Sequence, residues 1–215
     1  MKRERAPVAV EGIPFVVIAG IISVLFFVAD LIIPAVFFSL VTLFIVWFFR
    51  NPERSVPPGE KNVISPADGK IIDVREMQEN RILNKRMLKI SIFMNLFNVH
   101  VNRLPCTGKV VDIVYNPGKF VSANLDKASL ENEQNAVVLE TPAGEKIIFI
   151  QIAGLIARRI VCWLRKGQFV KRGERFGLIR FGSRVDVYLP VGTDVRVSLG
   201  DKVKAGESIL AVMKS

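Results

Sequence analysis

The sequence predicts a mainly β protein, a barrel or sandwich of pseudo-repeated hairpins, preceded by an N-terminal α-helical hairpin of membrane character. Three observations carry this. Residues 13–49 form one apolar run whose only formal charge is Asp30, and no such run recurs. Beyond residue 60 the chain is rich in β-branched residues punctuated by glycine, without a sustained helical period. Short glycine-led units also repeat within that region.

The elements follow in order. Residues 1–12 are a basic N-terminal segment with Lys2, Arg3 and Arg5. The apolar run 13–49 is about twice the roughly 20 residues that one bilayer crossing needs, so it divides into two short helices. Pro34 is tolerated in a first helical turn, which places the break at residues 29–33 with Asp30 in the turn. A tight transmembrane hairpin, a re-entrant pair and helices lying in one leaflet all satisfy these lengths. In the first two, Arg50 and Arg54 join the N-terminal bases in placing both flanks in the cytoplasm, against the inner membrane. The run is too long for a cleaved signal peptide.

Residues 50–59 contain three prolines and predict a stiff connector, with a catalytic domain over residues 60–215. Within it, residues 89–101 predict one strand, and residues 136–151 predict a hairpin turned at Pro142-Ala143-Gly144. Gly69-Lys70-Ile71-Ile72-Asp73-Val74 recurs as Gly108-Lys109-Val110-Val111-Asp112-Ile113. The Gly167-x-x-Val170-x-x-Gly173-Glu174 pattern recurs as Gly200-x-x-Val203-x-x-Gly206-Glu207. These glycines suit sharp turns between strands.

A formal net charge of +10 suits work against an anionic surface. The bases are scattered with no aromatic-rich stripe, so anionic lipid is a better partner than nucleic acid. Cys106 and Cys162 are too few and too far apart for a disulfide framework or a zinc site, in keeping with a reducing compartment. One histidine and scattered carboxylates give no zinc triad, which removes a metallopeptidase and predicts no metal.

Four segments stand out in order: Ser65-Pro66-Ala67-Asp68-Gly69, Asn98-Val99-His100-Val101-Asn102-Arg103-Leu104-Pro105, Asn124-Leu125-Asp126-Lys127-Ala128-Ser129, and Phe181-Gly182-Ser183. Behind a hydrophobic anchor, this set resembles the short form of the phosphatidylserine decarboxylase proenzymes, over essentially the whole chain. The resemblance implies self-cleavage between Gly182 and Ser183 into a large chain, 1–182, and a small chain, 183–215. It also implies conversion of Ser183 into a covalent pyruvoyl cofactor. That carbonyl would form a Schiff base with the amine of phosphatidylserine and accept the electrons released with carbon dioxide, yielding phosphatidylethanolamine.

Residue types agree with those roles. Glycine leaves its carbonyl open to approach, and a serine hydroxyl needs a base. His100 is the only histidine; by itself a lone histidine suits a packed or surface place as well as catalysis, and the resemblance implies that it transfers protons. By itself Asp68 suits a turn as well as catalysis; the resemblance implies that it orients His100. Long members of the family carry a second histidine where Arg103 stands, so His100 serves both stages or Arg103 binds the lipid phosphate or carboxylate. Arg180 and Arg184 flank the cut and are candidates for holding an anionic head group. Asp126 and Lys127 suit a capped turn, and Phe93, Phe97 and Phe120 suit either core or a lipid-facing entrance.

Two other readings compete. One keeps the chemistry on an archaeal-type ether serine lipid. The other is a membrane-tethered biotinyl- or lipoyl-like carrier, for which the spacing of Lys127 and the glycine turns is wrong. A homo-oligomer stays open.

Overall fold

The computed structural model describes residues 6–118, 132–154, 159–180 and 182–214. Lys2, Arg3, Arg5, Phe120, the 124–129 segment with Asp126 and Lys127, and Phe181 lie outside the described residues. The chain divides into two compact units, residues 1–53 and 54–215.

In the first unit, α1 (Ile13–Val28) and α2 (Ile32–Phe48) are nearly all apolar, and most of their large side chains are exposed. The chain reverses between them with Asp30 at φ +58°. Ser23 Oγ donates to the Ala35 carbonyl at 2.9 Å and lies 2.7 Å from Ser39 Oγ, and Phe26 stacks on Phe38. The open ends are tied as well, by Ala9 N–H to the Phe49 carbonyl and Asn51 N–H to the Pro7 carbonyl. Residues 10–28 form a helix of mean hydropathy 2.3, long and apolar enough to cross a bilayer. At the end of α2 the Arg50 guanidinium lies 4.0 Å from the Trp47 ring, the pairing expected of an interfacial anchor.

The second unit is mainly β, with fourteen strands among the described residues. They are β1 (Asn62–Ile64), β2 (Gly69–Glu79), β3 (Lys85–Met94), β4 (Val101–Arg103), β5 (Gly108–Asn116), β6 (Gln134–Glu140), β7 (Lys146–Ala153), β8 (Ile160–Cys162), β9 (Phe169–Val170), β10 (Arg175–Ile179), β11 (Ser183–Pro190), β12 (Asp194–Val195), β13 (Lys202–Val203) and β14 (Ile209–Val212). A curled eight-stranded sheet, ordered β13-β2-β3-β11-β7-β6-β5-β9, carries two three-stranded sheets, β1-β14-β12 and β4-β10-β8. Every pairing is antiparallel. Alternation puts Ile90, Ile92, Val185, Val187, Ile147 and Phe149 into the main core.

The strand order is symmetric. Exchanging β13 with β9, β2 with β5, β3 with β6 and β11 with β7 leaves the large sheet unchanged and swaps the small ones. The sequence echoes are the local trace of this pseudo-twofold. Gly69 opens β2 opposite Val203, and Gly108 opens β5 opposite Val170. A Cβ at either glycine would strike a backbone carbonyl, of Phe93 or of Glu140. The register shifts after Ile71 in one copy and after Val110 in the other.

One half is therefore β4–β10, inserted whole between β3 and β11 of the other. In the inserted half, β6 passes directly to β7 through the expected turn, with Gly144 at φ +79°. At the matching junction of the interrupted half the chain re-enters through Gly182 at φ +55°.

Two expectations need adjustment. The strand foreseen over residues 89–101 ends at Met94, because Asn98 Oδ1 accepts the Asn95 N–H at 2.8 Å and Asn95 Oδ1 accepts the Phe97 N–H at 2.9 Å. Those side chains give the backbone a turn in place of a ladder. The proline-rich stretch is also fixed to the barrel from Arg54 onward: the Arg172 guanidinium donates to the carbonyls of Pro57, Gly59 and Asn62.

Candidate active site

Ser183 is the first residue of β11, flanked by Met94 at the end of β3 and Ala153 at the end of β7. It is fully buried. Its hydroxyl donates to Met94 Sδ at 3.4 Å, a weak acceptor that leaves the oxygen able to turn toward the Gly182 carbonyl. Gly182 has a left-handed backbone, and a Cβ there would meet nothing within 4 Å. The Gly182–Ser183 bond thus joins a left-handed glycine with open space at its Cα to a residue whose hydroxyl is buried.

A chain of buried amides leads to this point. Asn135 Nδ2 donates to Gln151 Oε1 at 3.2 Å, Gln151 Nε2 to Asn102 Oδ1 at 2.9 Å, and Asn102 Nδ2 to Met94 Sδ at 3.7 Å. Amides in an apolar core need such partners, and here they fix Met94 beside the serine. Sequence reading missed Met94, Asn135 and Gln151. The available signal was a polar residue at an inward position of otherwise apolar strands.

His100 is buried just before β4, and its carbonyl accepts the Ile179 N–H at 3.4 Å, four residues before Ser183. Asp68 is buried too. Its carboxylate takes two bonds from Arg54 Nη2, at 2.9 and 3.2 Å, and one from the Ala205 N–H at 2.8 Å. The bonds of Asp68 therefore go to Arg54 and Ala205, not to His100. Arg54, which also reaches Glu207 at 3.4 Å, was read only as a flanking charge.

The three candidate arginines part company. Arg184 is 1 % exposed, on the sheet face opposite Ser183, with Nε 2.8 Å and Nη2 2.9 Å from the two oxygens of Asp186. Lys89, also buried, lies 3.7 Å from Asp186 and 3.2 Å from Asp73. This buried ion cluster lies on the sheet face opposite Ser183. Arg103 is buried against Gly206 and donates to the Gly173 carbonyl at 2.9 Å. Arg180, half-buried, follows the residue that bonds His100. Of the two aromatics that are described, Phe97 is exposed on the Asn95–Asn98 turn, and Phe93 pairs with Lys70 and Arg184.

The pseudo-twofold brings these positions together. Lys70, Phe93 and Arg184 stand in register, as do Lys109, Glu140 and Lys146, so Ser183 corresponds to Glu145 and Met94 to Thr141. The Met213 N–H bonds the Lys61 carbonyl as Ile179 bonds His100, so His100 corresponds to Lys61 and Arg180 to Lys214. The Arg172 N–H donates to Thr107 Oγ1 at 3.1 Å as Ala205 donates to Asp68, so Asp68 corresponds to Thr107. The counterparts Glu145, Lys61, Lys214, Thr107 and Thr141 all line one cavity of about 730 Å³. By the same symmetry Ser183, His100, Arg180, Asp68 and Met94 hold the matching positions at the other end of the sheet.

Burial pushes the Cys106 thiol up to about 12, and Cys162 is raised for the same reason, so neither is a thiolate nucleophile at neutral pH. Among the described residues no cluster of three or more His, Cys, Asp or Glu could hold a metal ion.

A family model described as phosphatidylserine decarboxylase matches residues 41–211. The chain is 53% identical over 213 residues to a phosphatidylserine decarboxylase proenzyme of Geotalea uraniireducens, covering 99% of this chain and 100% of that one. It is 57% identical over 205 residues to the proenzyme of Syntrophus aciditrophicus, covering 94% and 96%. The Geobacter sulfurreducens proenzyme is 48% identical over 218 residues, covering 99% and 100%.

Proposed function

The chain belongs to the phosphatidylserine decarboxylase family, carboxy-lyases made as proenzymes, and from that we propose that it cuts itself between Gly182 and Ser183 and converts phosphatidylserine to phosphatidylethanolamine. The observation that carries the reading is the open, left-handed Gly182 joined to the buried Ser183.

His100 takes the Ser183 hydroxyl proton as Oγ attacks the Gly182 carbonyl carbon. The C–O bond forms, the C–N bond breaks, and the proton passes to the Ser183 nitrogen, leaving an ester. Removal of the Ser183 α-proton then breaks the Cβ–O bond and releases the Gly182 carboxylate. Water finally replaces the nitrogen, which leaves as ammonia. The surroundings fit the pyruvoyl group so produced, because Met94 and Ala153 present apolar surface where the hydroxymethyl becomes a methyl. When formed, its carbonyl supplies the electrophile and electron sink for loss of carbon dioxide.

His100 then returns a proton to the carbon that lost the carboxylate. In this reading Asp68 assists His100, and Arg54 and Ala205 hold its carboxylate in place. Arg180 holds the lipid phosphate. The helical pair anchors the enzyme in the inner membrane with its barrel in the cytoplasm, where anionic lipid meets a chain of net charge +10.

Intact mass and denaturing electrophoresis of the purified protein test this. The expected result is a fragment ending at Gly182 and a second, blocked to Edman sequencing, that lacks the Ser183 nitrogen. A wild-type chain that stays whole after long incubation with lipid would overturn the proposal, as would decarboxylation by Ser183→Ala.

A further inference from the structure

We infer that the cavity related to the active site by the pseudo-twofold is a second, non-catalytic site for an amine-bearing phospholipid head group. Glu145, in the turn just before β7, lies eight residues before Ala153 at the end of that strand, and Ala153 is the neighbour of Ser183. The two sites are therefore roughly 26 Å apart at ~3.3 Å per residue.

Duplication of the fold has duplicated the cleft, and substitutions have changed its chemistry. Where one end has Ser183, His100 and Asp68, the other has Glu145, Lys61 and Thr107, so the serine–histidine pair has no counterpart there. What remains is recognition. Among the described residues neither Lys171 nor Lys214 makes an ion pair, and their ammonium groups suit a phosphate. Arg172 forms a wall, its guanidinium taken by the carbonyls of Pro57, Gly59 and Asn62.

The acidic side of the cavity sets the ligand class. A purely anionic ligand would meet Glu145 and Glu60 as well as the lysines. A head group with both phosphate and ammonium matches both signs. Glu145 occupies the position of Ser183, where the substrate amine meets the carbonyl, so an amine docked here meets a carboxylate and forms an ion pair. That step rests on the function proposed above. Phe169, Met213 and Pro142 add apolar wall for the first acyl carbons, and Phe169 is 62 % exposed.

The test uses the full-length Ser183→Ala protein in detergent with a short-chain phosphatidylethanolamine bearing a diazirine. Peptide mapping is expected to find label within residues 141–145 and 169–172. Dihexanoyl phosphatidylethanolamine should displace the probe at least tenfold more effectively than dihexanoyl phosphatidylglycerol or free phosphoethanolamine. Glu145→Gln should erase the preference over phosphatidylglycerol, and Lys171→Glu with Lys214→Glu should lower labelling at least tenfold.

Absence of label there, equal displacement by phosphatidylglycerol, or unchanged labelling of the lysine variant would overturn the site. Equal displacement by phosphoethanolamine would overturn its assignment to a lipid. If the lysine variant does not fold, the displacement series alone decides. Failure of self-cleavage appears as an uncut wild-type chain and is read separately.

Discussion

Arg184→Ala separates a structural arginine from a substrate-binding one. Both partners of the Arg184–Asp186 pair are almost completely buried, and two contacts of 2.8 and 2.9 Å join them. Removing the guanidinium leaves a buried carboxylate with Lys89 at 3.7 Å as its remaining cation. Breaking a buried pair costs about 3–5 kcal/mol, and Lys89 holds the loss near the lower figure, about 3 kcal/mol. At 2–4 °C per kcal/mol for a chain of this size, Tm should fall by roughly 6–12 °C. Fluorescence-detected melting of the detergent-solubilised protein measures it. Arg184→Met with Asp186→Leu should recover most of the loss, because removing both charges leaves Lys89 paired with Asp73 at 3.2 Å. A Tm within about 2 °C of wild type together with a tenfold rise in KM for the serine lipid would refute this reasoning and restore a head-group role.

Asp68→Asn keeps an acceptor for the Ala205 N–H, and Thr107 shows that a neutral acceptor is enough at that turn; the variant should fold but cleave itself about 10²-fold more slowly, as loss of a proton-transfer aid implies. Cleavage at the wild-type rate, followed by electrophoresis, would make Asp68 a clasp alone. Gly182→Ala meets no atom within 4 Å but holds a left-handed backbone, so it should cost about 1–2 kcal/mol in a melting experiment and still yield a folded precursor. The Cys106 thiol keeps its proton to about 12 when folded and ionises near its ordinary 9.0 when unfolded. Above pH 9 the unfolded state binds fewer protons, so stability should fall as pH rises from 9 toward 12. Maleimide at pH 8 should leave Cys106 unmodified until the protein is denatured, as mass spectrometry of the peptide would show.

Much of the fold was legible because its signals are local. The Gly69 and Gly108 units announced two copies of one strand start, since only glycine fits beneath the facing carbonyl. Pro142-Ala143-Gly144 announced the hairpin, and Asp30 marked the reversal between the helices. The nesting of one half inside the other was hidden, because β3 and β11 are neighbours in space and far apart in sequence. Within the site, Ser183 and His100 stood out only through the resemblance of their segments to the family. The partners of Asp68 were not, since Arg54 looked like a membrane-flanking base and Ala205 acts through its backbone. For Arg184 the sequence showed charge but not which face of the strand carries it.

The insertion of one half into a hairpin of the other has a consequence for the cut protein as an object. The proposed cut at Gly182 would open the chain at a place where topology had already left a seam. The new terminus begins a strand zipped on one side to β3 and on the other to β7, while β13 and β14 are laced to β2 and β1. The small chain is thus a thread sewn through the large one. Its withdrawal would break both of those ladders, to β3 and to β7, so under the proposed cut the two chains would stay together as one body.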